Sequence, residues 1–199
     1  MTHSDDEKFM ALALEEAARA AELGEVPIGA VVVHDGKVIA RAGNRRETDA
    51  DPAAHAEFSA LMQASRVLGR WRLTGCTVYV TLEPCLMCAG LMVNSRIDRC
   101  VFGAPDPKGG AVGTLYDVSH DARLNHEFEV EGGVLEAECA EVLRAFFKRR
   151  RAEAKAAKLA ARTAQESAVA LPAAAEPPLL VGECASHIDG LSVQGPALP

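Results

Sequence analysis

The sequence predicts an α/β protein, a three-layer α/β/α sandwich around a central mixed sheet of about five strands. A strand, a short helix and a second strand follow one another within residues 77–104. So short a connection indicates parallel strands with helices covering the sheet. Two apolar, β-branched runs also flank Asp35 and Gly36, the strongest short-range hairpin signal, which adds antiparallel pairing.

The first helices follow from periodicity and from their boundary residues. Residues 9–23 carry apolar side chains at helical spacing, and Gly24 marks the end of this helix. The hairpin comes next. A second helix is predicted with Asp51 as its N-cap and Pro52 as its first helical residue, running to about Leu68.

The later elements are read in the same way. Residues 77–82 are β-branched and aromatic, which predicts a strand. A short helix follows Pro84, and "DRCVFGA" predicts the next strand. The segment "APDPKGGAVG" is a Pro- and Gly-rich loop, and a final long helix runs from about residue 135 past Arg151.

The composition is that of an ordinary globular protein, with 199 residues, enough for one domain and some excess. No apolar stretch approaches the roughly 20 residues that span a bilayer, so no membrane association is expected. The N-terminus carries Asp5, Asp6 and Glu7 where a signal peptide needs positive charge. We therefore expect a cytoplasmic protein whose six cysteines are metal ligands or buried thiols rather than disulfides.

The charge is unevenly distributed along the chain. The formal net charge is −7, yet residues 144–162 hold eight basic residues against one acid, Glu153. Such a helix is either a solvated face or the electrostatic footprint of a polyanionic partner. From residue 163 onward there is no Lys or Arg. We predict one domain over residues 1–162, which includes the basic helix, and a disordered tail over residues 163–199.

Two cysteines at metal-binding spacing, Cys85 and Cys88, lie in "TLEPCLMCAG". A catalytic zinc keeps three protein ligands, and the nearest upstream imidazole is His55 in "DPAAHAEF". His55 and Cys85 both lie at the start of a predicted helix, where the positive end of the helix dipole favours thiolates. The predicted ligands of one Zn²⁺ per subunit are therefore His55, Cys85 and Cys88, with water in the fourth position.

Each part of this pattern also has a plainer interpretation. A lone CxxC can be a redox pair or half of a structural zinc site, and a His near a helix start is usually a surface residue. With Glu57 two positions after His55, the parts together match H-x-E … P-C-x-x-C, the known signature of zinc nucleobase deaminases. The other thiols, Cys76 and Cys100, lie in apolar segments where burial is the default, so the zinc site is expected to be open.

Glu57 is the expected general acid/base of such a site. Zinc lowers the pKa of a bound water to about 7. Glu57 would take a proton from that water and deliver it to a ring nitrogen and then to the leaving amine, which is hydrolytic deamination. Because residues two apart point to opposite sides of a regular helix, His55 and Glu57 can share the site only if His55 lies at an irregular first turn.

Over residues 9–151 the chain resembles the bacterial tRNA-specific adenosine deaminases, of the cytidine deaminase-like superfamily. The zinc half of the pattern is shared with cytosine, guanine and riboflavin-pathway deaminases, so the loop "GAPDPKGG" and the end "FFKRRR" distinguish the tRNA branch. The resemblance implies zinc-dependent conversion of adenosine to inosine at the wobble position of a tRNA anticodon loop. The segments that carry it are "EVPIGAV", "GNR", "DPAAHAE", "TLEPCLMCAG", "SRIDRCVFGAPDPKGGAVG", "LNHEFEV" and "FFKRR".

The resemblance also implies substrate-binding residues. Asn44 would hydrogen-bond the target base, and Pro27 and Ile28 would wall its pocket. Asp106 and Lys108 would hold the neighbouring ribose-phosphate backbone, although plain turn chemistry explains these two residues equally well. The remaining contacts that it implies are Asn125 to another anticodon-loop nucleotide and Phe147, Arg149 and Arg150 to flanking nucleotides.

The family implies a homodimer that binds the tRNA anticodon stem-loop with residues of both subunits. Ala89, Gly90 and Met92 on the third helix would suit a close contact between subunits, or equally a core that faces the sheet. Of two adjacent aromatic residues on an amphipathic helix, one must face inward, and we expect Phe146 in the core and Phe147 towards RNA.

Two rival functions remain open at this point. A free-base deaminase acting on guanine or cytosine would use the same zinc chemistry, but it would not need phosphate partners on a basic helix. A binding module with structural zinc would have no use for Glu57 as an acid/base.

Overall fold

The computed structural model describes residues 3–169, so the part of the predicted tail beyond residue 169 lies outside the described residues. The described chain forms four helices and five strands. In chain order these are α1 (His3–Glu22), β1 (Gly29–His34), β2 (Lys37–Gly43), α2 (Ala56–Leu68), β3 (Cys76–Leu82), α3 (Leu86–Ser95), β4 (Arg99–Ala104), β5 (Glu129–Gly132) and α4 (Glu136–Val169). Within this part of the chain, no helix is long and apolar enough to cross a bilayer.

The strands form a five-stranded mixed sheet, which confirms the predicted fold class. Their order across the sheet is β2-β1-β3-β4-β5. Strand β1 is antiparallel to both β2 and β3, whereas β3 is parallel to β4 and β4 to β5. The predicted hairpin turn is made by Asp35 (φ 49°) and Gly36 (φ 71°), two left-handed residues that match the twist of the flanking strands.

Helices cover both faces of the sheet. Helices α2 and α3 pack on one face, over alternate strand residues such as Ala30 and Val32. Helix α1 and the start of α4 pack on the other face, over intervening residues such as Val31. Because side chains alternate across a strand, the continuous apolar runs of β1 and β3 supply both cores. Ala89 and Met92 of α3 are fully buried in the first core, so they face the sheet and not a subunit contact.

Helix α1 is fixed to the sheet by close backbone packing and by a buried ion pair. A Cβ at Gly29 would come 2.0 Å from the backbone oxygen of Ala13, so only glycine lets β1 and α1 approach this closely. Near the N-terminal end of α1, the Asp6 carboxylate accepts two hydrogen bonds from the Arg99 guanidinium (2.8 and 2.9 Å). It accepts a third from the Tyr79 hydroxyl (2.7 Å).

The second helix begins later than its capping signals predict. The sequence predicts Asp51 as the N-cap and Pro52 as the first helical residue, but the helix starts at Ala56 and its N-cap is His55. The Asp51 side chain instead accepts a hydrogen bond from the backbone N–H of Ala53 (2.8 Å), which closes a turn. An Asp before a Pro initiates turns as readily as helices, and here the turn places His55 outside the helix.

The C-terminal elements also differ from those predicted from the sequence. Strand β5 was not predicted, because Glu129–Gly132 is short, acidic and largely exposed at the sheet edge. Helix α4 continues to Val169, so residues 163–169 are helical although composition assigns them to the tail. The Ala-rich sequence of this helix has a high helix propensity, which explains its length. One compact unit ends at Ala156, and the remainder of α4 belongs to a second unit.

Candidate active site

The N-terminal ends of two helices bring three metal-ligating side chains together. His55 is the N-cap of α2 and Cys85 is the N-cap of α3, both with extended backbone (ψ 151° and 171°). Neither side chain caps its own helix. Because α2 and α3 lie on the same face of the sheet, the two side chains meet, and Cys88 joins them from the first turn of α3. We call His55, Cys85 and Cys88 the ligand group.

The ligand group has the spacing of a tetrahedral metal site. The Nδ1 atom of His55 lies 3.6 Å from Sγ of Cys85 and 3.7 Å from Sγ of Cys88, and all three ligand atoms lie within 4.8 Å of one another. A nitrogen and a sulfur bound to the same zinc at ordinary bond lengths lie about 3.6 Å apart. The donor set and its spacing therefore fit zinc. Among the described residues the group comprises three ligands, one fewer than a closed structural site.

Hydrogen bonds within the ligand group favour a thiolate at Cys85. The bond from the Cys88 thiol lowers the pKa of Cys85 to about 3, although burial alone would raise it. The same bond, together with burial, raises the pKa of Cys88. A bond to Cys85 raises the pKa of His55 above its ordinary value. Cys88 is therefore the ligand from which a bound cation would have to displace a proton.

Glu57 lies beside the ligand group, in the first turn of α2, and its side chain is buried. Burial raises the pKa of its carboxyl, which forms a hydrogen bond with Cys88. His55 lies before the helix rather than in it, so both side chains line one cavity although they are two residues apart. The irregular helix start that a shared site requires is therefore present.

A small cavity of about 160 Å³ opens at the ligand group and Glu57. Of the residues that the resemblance assigns to the substrate, Ile28, Asn44 and Asp106 line this cavity. Pro27 is buried and is not among its lining residues. Ligand clefts usually measure about 300–1,000 Å³, so this cavity admits a small ring and not a large ligand.

A wider groove of about 690 Å³ adjoins the cavity, between the loop of residues 105–108 and α4. Val26, Leu82 and Asp106 line both spaces. On α4 the groove is lined by Phe147, whose side chain is 43% exposed. Its basic lining residues are Lys108 from the loop and Arg144, Lys148 and Arg151 from α4. An exposed aromatic ring beside basic groups is a surface suited to stacking bases and neutralising phosphates of single-stranded RNA.

The other predicted RNA contacts lie outside these two spaces. Arg149 and Arg150 are exposed on α4 and lie 3.7 Å and 3.9 Å from carboxylate oxygens of Glu153. Asn125 is exposed in the loop before β5 and lines neither the cavity nor the groove. Phe146 is buried, which confirms the prediction of which of the two adjacent aromatic residues faces the core.

Sequence reasoning missed Glu83, which holds the loop that carries Asp106. Its buried carboxylate accepts hydrogen bonds from the backbone N–H groups of Asp106 (3.0 Å), Val112 (3.3 Å) and Thr114 (2.9 Å), and from the Thr114 hydroxyl. A Cβ at Gly110 would lie 2.3 Å from this carboxylate. The signal that could have found Glu83 is its place between the end of β3 and the ligand group.

Comparison with known proteins gives the class of this fold and site. A model of the MafB19-like deaminase family matches residues 4–151, which is most of the chain. The three-layer fold and the ligand group are thus those of a deaminase.

Individual relatives narrow this class. The tRNA-specific adenosine deaminase of Bacillus subtilis is 54% identical over 155 residues, which are 78% of this chain and 96% of that protein. The protein of the same name from Haemophilus influenzae is 48% identical over 151 residues, 75% of this chain and 87% of that protein. The chain belongs to the tRNA-specific adenosine deaminase family, which confirms the resemblance predicted from its motifs.

Solved structures agree with this assignment. One, from a study of A-to-I editing by tRNA:A34 deaminases at the wobble position of transfer RNA, is 49% identical and superposes with a TM-score of 0.66. The match covers 68% of this chain and 99% of that chain. The guanine deaminase from Nitrosomonas europaea is 25% identical and superposes with a TM-score of 0.60, over 70% of this chain and 83% of that chain.

Proposed function

We propose that this chain converts adenosine to inosine at the wobble position of a tRNA anticodon loop, by hydrolytic deamination with one zinc ion per subunit. The observation that carries the proposal is the ligand group beside the buried carboxylate of Glu57, in a cavity that admits one ring. The names of the relatives support adenosine in tRNA as the substrate. The tRNA substrate also implies action in the cytoplasm.

The ligand group would hold the zinc through Nδ1 of His55 and the sulfur atoms of Cys85 and Cys88. Imidazole and thiolate are donors that zinc prefers, and three protein ligands leave one coordination position open. When bound, zinc supplies a Lewis acid that activates water at neutral pH. The two helix N-termini add positive potential, which favours the thiolate form of the cysteines.

Glu57 would carry the protons of the reaction. Its carboxyl lines the cavity, and its raised pKa, caused by burial, suits a group that both accepts and donates a proton. It would take a proton from the attacking water and deliver it to N1 of the adenine ring. It would then assist the departure of the C6 amine as ammonia. Because Glu57 is buried at the cavity, a substrate ring bound there would shield its carboxyl from bulk water.

The surroundings of the cavity would bind the anticodon loop. Asn44 would hydrogen-bond the flipped-out base, with Ile28 on one wall and Pro27 behind it. Asp106 and Lys108 would hold the adjoining ribose and phosphate at the mouth of the groove. The roles proposed for the remaining residues are stacking by Phe147 and contacts to flanking nucleotides by Asn125, Arg149 and Arg150.

We propose in addition that the chain is a homodimer. On α3, the apolar side chains of Leu86 and Met87 are 49% and 38% exposed and are available for a subunit contact beside Gly90. Light scattering coupled to size-exclusion chromatography is expected to give twice the mass of the chain. A monomer at micromolar concentration would contradict this part of the proposal.

The substrate is tested by offering the purified, zinc-loaded chain an anticodon stem-loop with adenosine at the wobble position, and free guanine and cytosine in parallel. We expect inosine in the stem-loop and no turnover of either free base. Turnover of a free base alone would instead support the rival function that the likeness to a guanine deaminase favours.

The metal is tested separately with His55→Ala. We expect this variant to lose zinc, measured by plasma mass spectrometry, and to lose inosine formation, because two thiolates alone hold a zinc ion weakly. Full zinc content in the wild type without turnover of any of the three substrates would indicate a binding module.

A further inference from the structure

Glu25 is a buried carboxylate that the proposed reaction does not use. It lies between α1 and β1, and it is only 1% exposed. A buried charge is costly unless its oxygens are hydrogen-bonded, so its partners indicate what it does.

The hydrogen-bond partners of Glu25, which are Asn44, Glu47 and Thr48, belong to the segment that follows β2. Oε2 accepts a hydrogen bond from Nδ2 of Asn44 (3.1 Å), and Oε1 accepts one from the backbone N–H of Thr48 (2.6 Å). Burial raises the pKa of Glu25, but the bonds from Thr48 and the charge of Arg45 outweigh this effect and lower the pKa. Glu25 is therefore ionised at neutral pH, and an ionised carboxylate only accepts hydrogen bonds.

The bond to Glu25 determines which way the amide of Asn44 faces. Only the amide nitrogen can donate to a carboxylate, so Nδ2 faces Glu25 and Oδ1 lies on the opposite side of the amide. In the flipped amide, Oδ1 would meet a carboxylate oxygen with no proton between them. Asn44 is buried and lines the cavity, and its backbone N–H donates to the carbonyl of Ile28 (2.9 Å), so its position is fixed as well.

We propose that Glu25 is a positioning residue that fixes the amide of Asn44 in one orientation and so sets the hydrogen-bond pattern offered to the target base. The inference rests on the proposed function, because Asn44 can select a base only if a base enters the cavity. It gives the buried charge a specific purpose, since both oxygens of an ionised carboxylate only accept hydrogen bonds and therefore admit only one orientation of the Asn44 amide.

Glu25→Gln is the most informative substitution, because the two side chains have nearly the same size and shape. A carboxylate offers an accepting oxygen both to Asn44 and to the N–H of Thr48, whereas the Gln amide offers one oxygen and one NH₂ group. If the oxygen stays on the N–H of Thr48, the NH₂ group faces Asn44 and favours the reversed amide. The substitution therefore changes the orientation of Asn44 without opening a void.

A role for Glu25 in holding the loop alone makes a different prediction. Loss of the Thr48 bond would then impair the enzyme whether or not Asn44 is present. If Glu25 acts through Asn44, its replacement costs nothing further once Asn44 has been removed. A double-mutant cycle separates these two cases.

The cycle comprises Glu25→Gln, Asn44→Ala and the double variant, with Glu22→Gln, at an exposed carboxylate on α1, as the matched control. Measurements are kcat and KM for inosine formation in the stem-loop, zinc content and unfolding temperature. We expect Glu25→Gln to lower kcat/KM about 10-fold with full zinc content, and to cost less than about 2-fold in the Asn44→Ala background. An equal loss in both backgrounds, or no loss in the single variant, overturns the proposal.

A second measurement does not depend on turnover. The side-chain NH₂ group of Asn44 gives two proton signals in a ¹⁵N-correlated NMR spectrum, assigned by their disappearance in Asn44→Ala. We expect Glu25→Gln to shift both signals and to speed their exchange with water, while Glu22→Gln leaves them in place. Unchanged Asn44 signals in Glu25→Gln overturn the proposal. A wild type that forms no inosine would contradict the proposed function instead, and the NMR result would still decide the role of Glu25.

Discussion

Glu57 and His55 are separated by a single residue, yet their side chains line the same cavity, because α2 begins between them. His55 has an extended ψ of 151° and Glu57 lies in the first helical turn. Had the helix begun at Pro52, the two side chains would point to nearly opposite sides. The turn after Asp51 thus places the proposed acid/base group, Glu57, and the proposed metal ligand, His55, at the same cavity.

The role of Glu57 is tested by Glu57→Ala. We expect zinc content to be unchanged and kcat to fall by at least about 10²-fold, because the proton carrier is lost while the ligand group remains. Inosine formation and metal content are measured on the same preparation. Glu47→Ala, at an exposed carboxylate in the loop before α2, serves as the control and is expected to retain full activity. Near-normal turnover by Glu57→Ala would contradict the mechanism.

Among the secondary-structure elements, those with strong local patterns could be predicted from the sequence. The β1–β2 hairpin and the β3–α3–β4 unit form as predicted, because turn residues and apolar runs are local signals. Strand β5 could not be predicted, because an exposed edge strand carries no apolar pattern. The ligand group follows from a motif, whereas the bond between Glu25 and Asn44 joins segments 19 residues apart and depends on tertiary packing.

Asp6 connects α1 to β3 and β4, and its contribution should depend on pH. Burial raises the pKa of Asp6, but hydrogen bonds from Arg99 and Tyr79 outweigh it and lower the pKa below 3.8. A lowered folded-state pKa stabilises the fold at pH values above the unfolded pKa, and this stability is lost as the pH falls through the folded pKa.

We expect Asp6→Asn to lower the free energy of unfolding by about 2–3 kcal/mol at pH 7. The difference from the wild type should shrink as the pH falls from 3.8 through the lower folded-state pKa, because the unfolded chain takes up the proton first and the folded carboxyl is protonated only below its own pKa. Chemical denaturation at several pH values measures both quantities. A difference that stays constant down to the lowest pH at which the chain folds would show that the carboxylate charge is not responsible.

The packing of α1 on β1 is tested by Gly29→Ala. The added Cβ would come 2.0 Å from the backbone oxygen of Ala13, so the helix or the strand must move, and we expect a loss of stability of about 1–3 kcal/mol. Gly90→Ala, measured at a concentration at which the chain is monomeric, is the control, because apart from its own helix backbone and chain neighbours no atom of the same chain lies within 4 Å of the added Cβ. In the interior of α3 that change is expected to be neutral or to stabilise by about 0.5–1 kcal/mol. Equal unfolding temperatures for the two variants would contradict this account of the contact.

At the scale of the whole molecule, the distribution of charge is more important for attracting RNA than the net charge. The chain is acidic overall, with a net charge of −7, yet the α4 side of the groove presents Arg144, Lys148 and Arg151. An RNA that approaches an acidic body is attracted only where basic groups are concentrated, so we expect the groove to orient the anticodon loop towards the cavity.

Lys148→Ala and Arg151→Ala test this orientation. We expect each to raise KM for the stem-loop and to lower the slope of log affinity against log salt by about 1, because one phosphate contact is lost. Lys158→Ala, on the part of α4 beyond the first compact unit, is the control and should leave the slope unchanged. Identical slopes for all three variants would remove these two residues from the RNA-binding surface.

Truncation after Gln165 tests the proposed division into a deaminase domain and a tail. We expect the shortened chain to keep its zinc content, its kcat and its KM for the stem-loop, because the family model matches only residues 4–151. A large loss of activity would show that residues 166–199 take part in folding or in binding RNA.

Glu83 and Gly110 constrain each other's evolution. The Glu83 carboxylate fills the space that any β-carbon at Gly110 would need, and the backbone of Gly110 pairs with that of Cys85. A side chain at Gly110 would displace the Glu83 carboxylate, and removal of that carboxylate would leave the loop N–H groups of Asp106, Val112 and Thr114 without their acceptor. We therefore expect substitutions that alter substrate preference to be tolerated at the exposed outer positions of the loop, Pro105 and Lys108, because a change there leaves the contacts of Glu83 in place.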